Sequence, residues 1–91
     1  MQIRWTPAAV NDLETIADYL CDNAPERAAE LVRQIYESPD RLTRFPRVGR
    51  AGRRHGTREL IVNSLPYVIV YRLTDEAIHI LRVLHGAQKW P

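Results

Sequence analysis

The chain has little that could staple it or anchor it. Among its 91 residues there is one cysteine, Cys21, so no intrachain disulfide can form and a reducing compartment suits it. No apolar run approaches the roughly 18 residues that a membrane span needs. The opening MQIRWTPAAVND lacks the apolar core of a signal peptide, which predicts a cytoplasmic protein with no membrane partner. Gly49, Gly52 and Gly56 do not supply the GxxxxGK[ST] of a nucleotide-binding loop. Cys21, His55, His79 and His85 show no zinc spacing, so neither a metal nor a cofactor is expected. Ser38 and Ser64 lack the glycine-rich turn of an activated nucleophile, and the carboxylates fall mostly on helix surfaces. Lysine is nearly absent too. Twelve of the thirteen cations are arginine and one, Lys89, is lysine. Arginine forks match phosphate and carboxylate bidentately, so ionic recognition is the chemical theme that these absences leave.

What is present suits one small domain spanning 1–91, of 10.5 kDa. A chain this short buries roughly 60–65% of its unfolded surface, so its stability margin is thin and dependence on a partner is expected. The net charge of +2 hides an asymmetry: residues 1–40 carry eight acids and three arginines, residues 41–91 ten bases and three acids. Between Arg41 and Arg58 lie seven arginines and no acid. Such a segment reads as a solvated basic loop or as a docking surface for an acidic protein segment or nucleic acid.

Gln2–Trp5 reads as a short strand. Thr6-Pro7 is a helix start, a capping hydroxyl followed by a proline whose missing N–H costs nothing there. Val10, Leu13, Ile16, Ala17 and Leu20 then recur at helical spacing, with Asp12, Glu14, Asp18 and Asp22 expected outside. Asn23-Ala24-Pro25 breaks the chain, and Ala28, Leu31, Val32 and Ile35 define a second helix, antiparallel to the first. Leu31, Ile35, Leu42 and Phe45 keep one phase across Pro39, which predicts a kinked helix or short restart ending near Phe45, with Leu42 and Phe45 buried. RVGRAGRRHG reads as a basic loop. Arg58–Asn63, Tyr67–Leu73 and Ala77–Leu84 are β-rich runs separated by turn residues, an antiparallel meander whose central strand is Tyr67–Leu73. The fold class is α+β: an N-terminal strand and a two-helix antiparallel hairpin packed on a small antiparallel sheet.

His85, just after the last predicted strand, is the candidate acid or base if a phosphodiester is cleaved, since imidazole is the side chain suited to proton transfer near neutral pH, with Arg58 and Arg82 stabilising the phosphorane. His85 equally fits a strand-end residue bonded to backbone. Tyr71, mid-strand among valines and isoleucine, reads as core. Trp90 suits either stacking on a base or closing over the sheet.

In order along nearly the whole chain, WTPAAVNDLETIADYL, FPRVGR, GTRELIV, LPYVIVYRL and ILRVLHGAQKWP resemble the RelE/ParE toxins of bacterial toxin–antitoxin modules. The resemblance implies a helical hairpin on a small antiparallel sheet and a small antitoxin that wraps the toxin, with higher-order toxin–antitoxin complexes. It also implies one of two targets: mRNA in the ribosomal A site, or DNA gyrase. The ribonuclease branch carries an arginine three residues before the central-strand tyrosine, where this chain has Val68, and residues 41–58 lack the Lys or Glu of its catalytic loop. GTREL and RVLHGAQKWP are closer to the ParE branch, which implies gyrase inhibition by binding, with no catalytic residue. The alternatives are a metal-independent ribonuclease using Arg58, Arg82 and His85, and a non-toxic binding module. Residues expected to meet antitoxin or target are Arg47, Arg50, Arg53, Arg54, Arg58, Arg72, Arg82, His85, Lys89 and Trp90.

Overall fold

The computed structural model describes residues 1–62, 65–86, 88 and 90. The expected strand end at Asn63, Ser64 of the following turn and the site candidate Lys89 lie outside them. Strand β1, Gln2–Trp5, runs into helix α1, Pro7–Asn23. Thr6 makes that junction: its Oγ1 accepts the Ala9 N–H at 3.2 Å, as a capping hydroxyl should, and donates to the Ile80 carbonyl at 2.9 Å. A tight turn at Ala24 leads into helix α2, Ala28–Glu37, and the two helices pack as a hairpin. Ala9 and Leu20 are buried on α1, with Leu13 and Ile16 half-buried between them. Val10, expected on this stripe, is 41% exposed. It sits one residue, about 100° of helix, off the line that Ala9 already occupies.

Proline 39 does not end the apolar phase. Ser38–Thr43 continues α2 as a 3₁₀ segment, with Ser38 Oγ donating to the Ile35 carbonyl at 2.9 Å. Pro39 and Leu42 are both buried, and Leu42 joins Ile35 in the core. Phe45, expected beside them, is 60% exposed. The tighter 3₁₀ winding and its stop at Thr43 carry Phe45 off the buried line, where the Arg44 guanidinium lies 5.9 Å from its ring centroid.

The sheet has five strands. Beyond β1 they are β2, Arg50–Ala51; β3, Arg58–Ile61; β4, Tyr67–Leu73; and β5, Ala77–His85. Their order is β1-β5-β4-β3-β2. The meander β3–β4–β5 is antiparallel as expected, and β4 is central, with Ile69, Val70 and Tyr71 wholly buried. Two features differ from the sequence reading. β1 joins β5 in parallel, making the sheet mixed, and the basic loop contributes β2 as a two-residue edge strand. On β5 a bulge falls at Leu81, since Val70 pairs with Arg82 and Tyr71 with Ile80.

Tyr71 is core, and its hydroxyl also organises the basic loop. It donates to the Pro46 carbonyl at 2.7 Å and accepts the Gly49 N–H at 2.9 Å. A Cβ on Gly49 would stand 2.6 Å from that hydroxyl, so only glycine admits this approach.

The contrast between Leu42 and Phe45 is measurable. Leu42→Ala should cost about 2–4 kcal/mol and Phe45→Ala no more than about 0.5 kcal/mol in urea unfolding. Equal costs would contradict the 3₁₀ geometry.

Candidate binding surface

Most of the arginines singled out by the sequence fall around β2, β3 and the loops flanking them, and the structure divides them by what holds them. Arg50 Nη2 lies 3.0 Å from Glu59 Oε1, across the β2–β3 pair. Glu59 is only 7% exposed, so this pairing compensates a buried carboxylate. Arg58 Nη1 donates to the carbonyls of Arg47, at 3.1 Å, and Gly49, at 2.8 Å. Arg53 Nη1 reaches the Trp90 carbonyl at 3.4 Å, and the Arg54 guanidinium stands 5.4 Å from the Trp90 ring centroid. Trp90 is half-buried against this basic turn rather than displayed to solvent. The side chains of Arg47 and Arg72 are exposed and form no ion pair among the described residues.

Arg82 is engaged from the other side. Its Nε and Nη2 donate to Asp12 Oδ2 and Oδ1 at 2.7 and 2.9 Å, a bidentate pair, and the Val83 N–H donates to the same Oδ2 at 2.9 Å. Asp12, expected on the outer face of α1, therefore points at β5. The hydrogen bond from Asp12 raises the Arg82 pKa above its already high ordinary value, against the opposing effect of partial burial, and Coulomb attraction from the same carboxylate adds to the rise. A raised pKa means that this contribution is complete below the ordinary arginine value and is lost only as pH climbs through the folded one. The contribution of Arg82 is thus unchanged across the neutral range.

The three candidate ribonuclease groups are drawn apart. Arg58 is held to the 47–49 loop on the β2 side of the sheet, and Arg82 to α1 on the opposite side of β5. Their strands are separated by β4, which is two strand spacings or roughly 9–10 Å. His85 ends β5, with its ring edge-on to Tyr67 at 6.0 Å and its backbone N–H donating to Gln88 Oε1 at 2.6 Å. Val68, at the position that the ribonuclease branch fills with arginine, pairs with Ile61 on one side and Leu84 on the other. Among the described residues no group of three or more His, Cys, Asp or Glu side chains could hold a metal ion, and no helix is long and apolar enough to cross a membrane.

Sequence reasoning missed a groove of about 570 Å³ at the far end of α1, lined by Ile16, Tyr19, Leu20, Tyr67 and His85 among others. Tyr19 is exposed there. Burial pushes the Tyr67 phenol above its ordinary pKa, with a smaller contribution from Tyr19. The i, i+3, i+4 spacing of Ile16, Tyr19 and Leu20 carries the signal, but it reads equally as core.

A family model for the ParE toxin of the type II toxin–antitoxin system parDE matches residues 3–90. The chain belongs to the ParE toxin family. The Y4kP protein of Sinorhizobium fredii is 40% identical over 99% of this chain and 93% of its own length. Toxin RelE2 of Caulobacter vibrioides is 36% identical over 96% of this chain and 97% of its own. In solved structures, a chain of the chromosomal ParDE system of P. aeruginosa superposes with a TM-score of 0.85 at 30% identity, covering 93% of this chain and 95% of that one.

Asp12→Ala removes the acceptor of three hydrogen bonds and strands the Val83 N–H. It should destabilise by about 1.5–3 kcal/mol, toward the lower end because solvent reaches Arg82. Asp12→Asn, which retains an acceptor for Val83, should cost less in the same urea titration.

Proposed function

We propose that this toxin inhibits DNA gyrase by binding it, without catalysis of its own, and that a cognate antitoxin neutralises it. The observation that carries the reading is the sheet around Val68. A phosphorane needs a preorganised cation, and losing one such donor typically costs on the order of 10²–10³ in rate. Here Val68 stands where the cation would be, while Arg58 and Arg82 are turned to opposite edges by internal bonds. The superposition on the ParDE chain supports the same assignment. The second reading, a ribosome-dependent mRNA endonuclease using Arg58, Arg82 and His85, draws on the 36% identity to RelE2 and on His85 at the end of β5.

The antitoxin segment occupies the groove beside Tyr19 and Tyr67, and its acidic residues meet the exposed arginines of the basic segment. A partner binding only the folded state adds RT ln(1 + [L]/Kd), about 2.7 kcal/mol at a hundredfold excess over Kd. For a chain of this size the melting temperature should rise on the order of 10–20 °C on adding antitoxin. An unchanged melting temperature in a demonstrated complex contradicts this account.

The target is decided by incubating purified toxin with gyrase and supercoiled plasmid, and separately with a programmed ribosome. Accumulation of cleaved gyrase–DNA complexes with intact mRNA is the expected result. Codon-specific A-site cuts that vanish in His85→Ala, with gyrase unperturbed, would overturn it. Inactivity in both assays would favour the non-toxic binding module.

A further inference from the structure

A second concavity, about 340 Å³ in volume, lies between the 46–51 loop, the β2–β3 turn and the end of β4. Arg47, Arg58, Gly56 and Thr57 line it, together with Ala51 and Leu73, and no carboxylate is among them. The Arg58 guanidinium is fixed in place, because Nη1 donates to two main-chain carbonyls. Its Nε and Nη2 make no hydrogen bond to any described residue, which leaves two donors in a set orientation. Arg47 contributes a second exposed guanidinium. A third stands at the rim, where Arg72 Nε lies 4.0 Å from the place a Cβ on Gly56 would take. Gly56 itself has φ +80°, so the turn presents bare backbone to the concavity. Glu59, the nearest acid in sequence to Arg58, is bound to Arg50 across β2–β3.

We propose that this notch binds a phosphate group, either as a diester in a nucleic-acid backbone or as free phosphate. Two guanidiniums, of Arg47 and Arg58, line one small space and a third, of Arg72, lies near the Gly56 turn beside it, an arrangement that suits a tetrahedral dianion or diester with several oxygens. One of the three is oriented before any ligand arrives, which lowers the ordering cost of binding. A flat carboxylate on a peptide would engage one fork and leave the others unmatched. The proposal does not depend on which target the toxin has. The notch is removed from Val68, where the ribonuclease branch places its cation.

The test uses the purified chain freed of antitoxin, with three probes. Inorganic phosphate should shift the Gly56 and Thr57 amide resonances saturably. A fluorescein-labelled 20-base-pair duplex should bind with an affinity that falls linearly in log–log against salt. Arg47→Gln combined with Arg72→Gln should abolish the amide shifts, weaken duplex binding at least about tenfold at low salt, and reduce the salt slope by about one. Neither side chain bonds to the described residues, so the melting temperature should not change. Arg27→Gln, on the acidic half of the chain, should leave both signals as they were. Saturation by phosphate without competition from the duplex supports the notch and assigns it to free phosphate; competition assigns it to the diester. Phosphate-induced amide shifts that survive the double variant, no binding of either phosphate probe, or hexaglutamate displacing phosphate at equal or lower concentration would each overturn the proposal.

Discussion

The fold depends on how the open edge of β5 is closed. β1 pairs with β5 only as far as Trp5 opposite Ile80, and a strand edge left open beyond that point would leave main-chain groups without partners. Two side chains complete the edge. Thr6 Oγ1 donates to the Ile80 carbonyl while capping α1, and Asp12, two turns of helix further on, accepts the Val83 N–H and both forks of Arg82. The first helix is thereby locked to the sheet in register and rotation. The line from Ala9 to Leu20 faces the core because Asp12 faces β5.

 

That lock explains which parts of the architecture the sequence discloses. The meander β3–β4–β5 is legible because β-branched and aromatic residues fill short runs divided by turn residues, and Tyr67–Leu73 is apolar on both faces as a central strand must be. The hairpin is legible from helical spacing, and the passage through Pro39 from the shared phase of Ile35 and Leu42. The parallel docking of β1 is not legible, since four residues carry no signal about which edge they join. Nor is β2, whose two residues are defined by their partner, β3, rather than by their own pattern. The role of Asp12 is not legible for a related reason: helical periodicity separates polar from apolar residues, and it cannot tell a solvated carboxylate from one bonded across 70 residues.

The candidate site was legible as chemistry more than as geometry. Seven arginines without an acid identify an ionic segment, but not which of them are already engaged. Arg50 is spent on a buried glutamate and Arg58 is turned onto carbonyls. Arg53 and Arg54 hold the terminal Trp90, and Arg82 belongs to the α1–β5 junction. A count of cations therefore overstates the charge available to a partner. The groove at Tyr19 and Tyr67 is not legible, because an exposed aromatic at helical spacing has the same sequence signature as a core residue.

The two halves of the chain also differ in how their charge is used. Acids of the N-terminal half lie mainly on exposed helix surface, where Glu30 and Glu37 flank Arg33 in solvent, an arrangement that contributes little to stability. Asp12 is the exception, and it is the one that crosses to the basic half. On the basic half, the internal bonds of Arg50, Arg58 and Arg82 are directed at a buried carboxylate, at main-chain carbonyls and at the Asp12 carboxylate that also accepts from the β5 edge. Arginine is suited to these tasks because one planar fork can meet several acceptors, which a lysine ammonium on a flexible stem does less well. The near absence of lysine thus follows from structural work as much as from recognition.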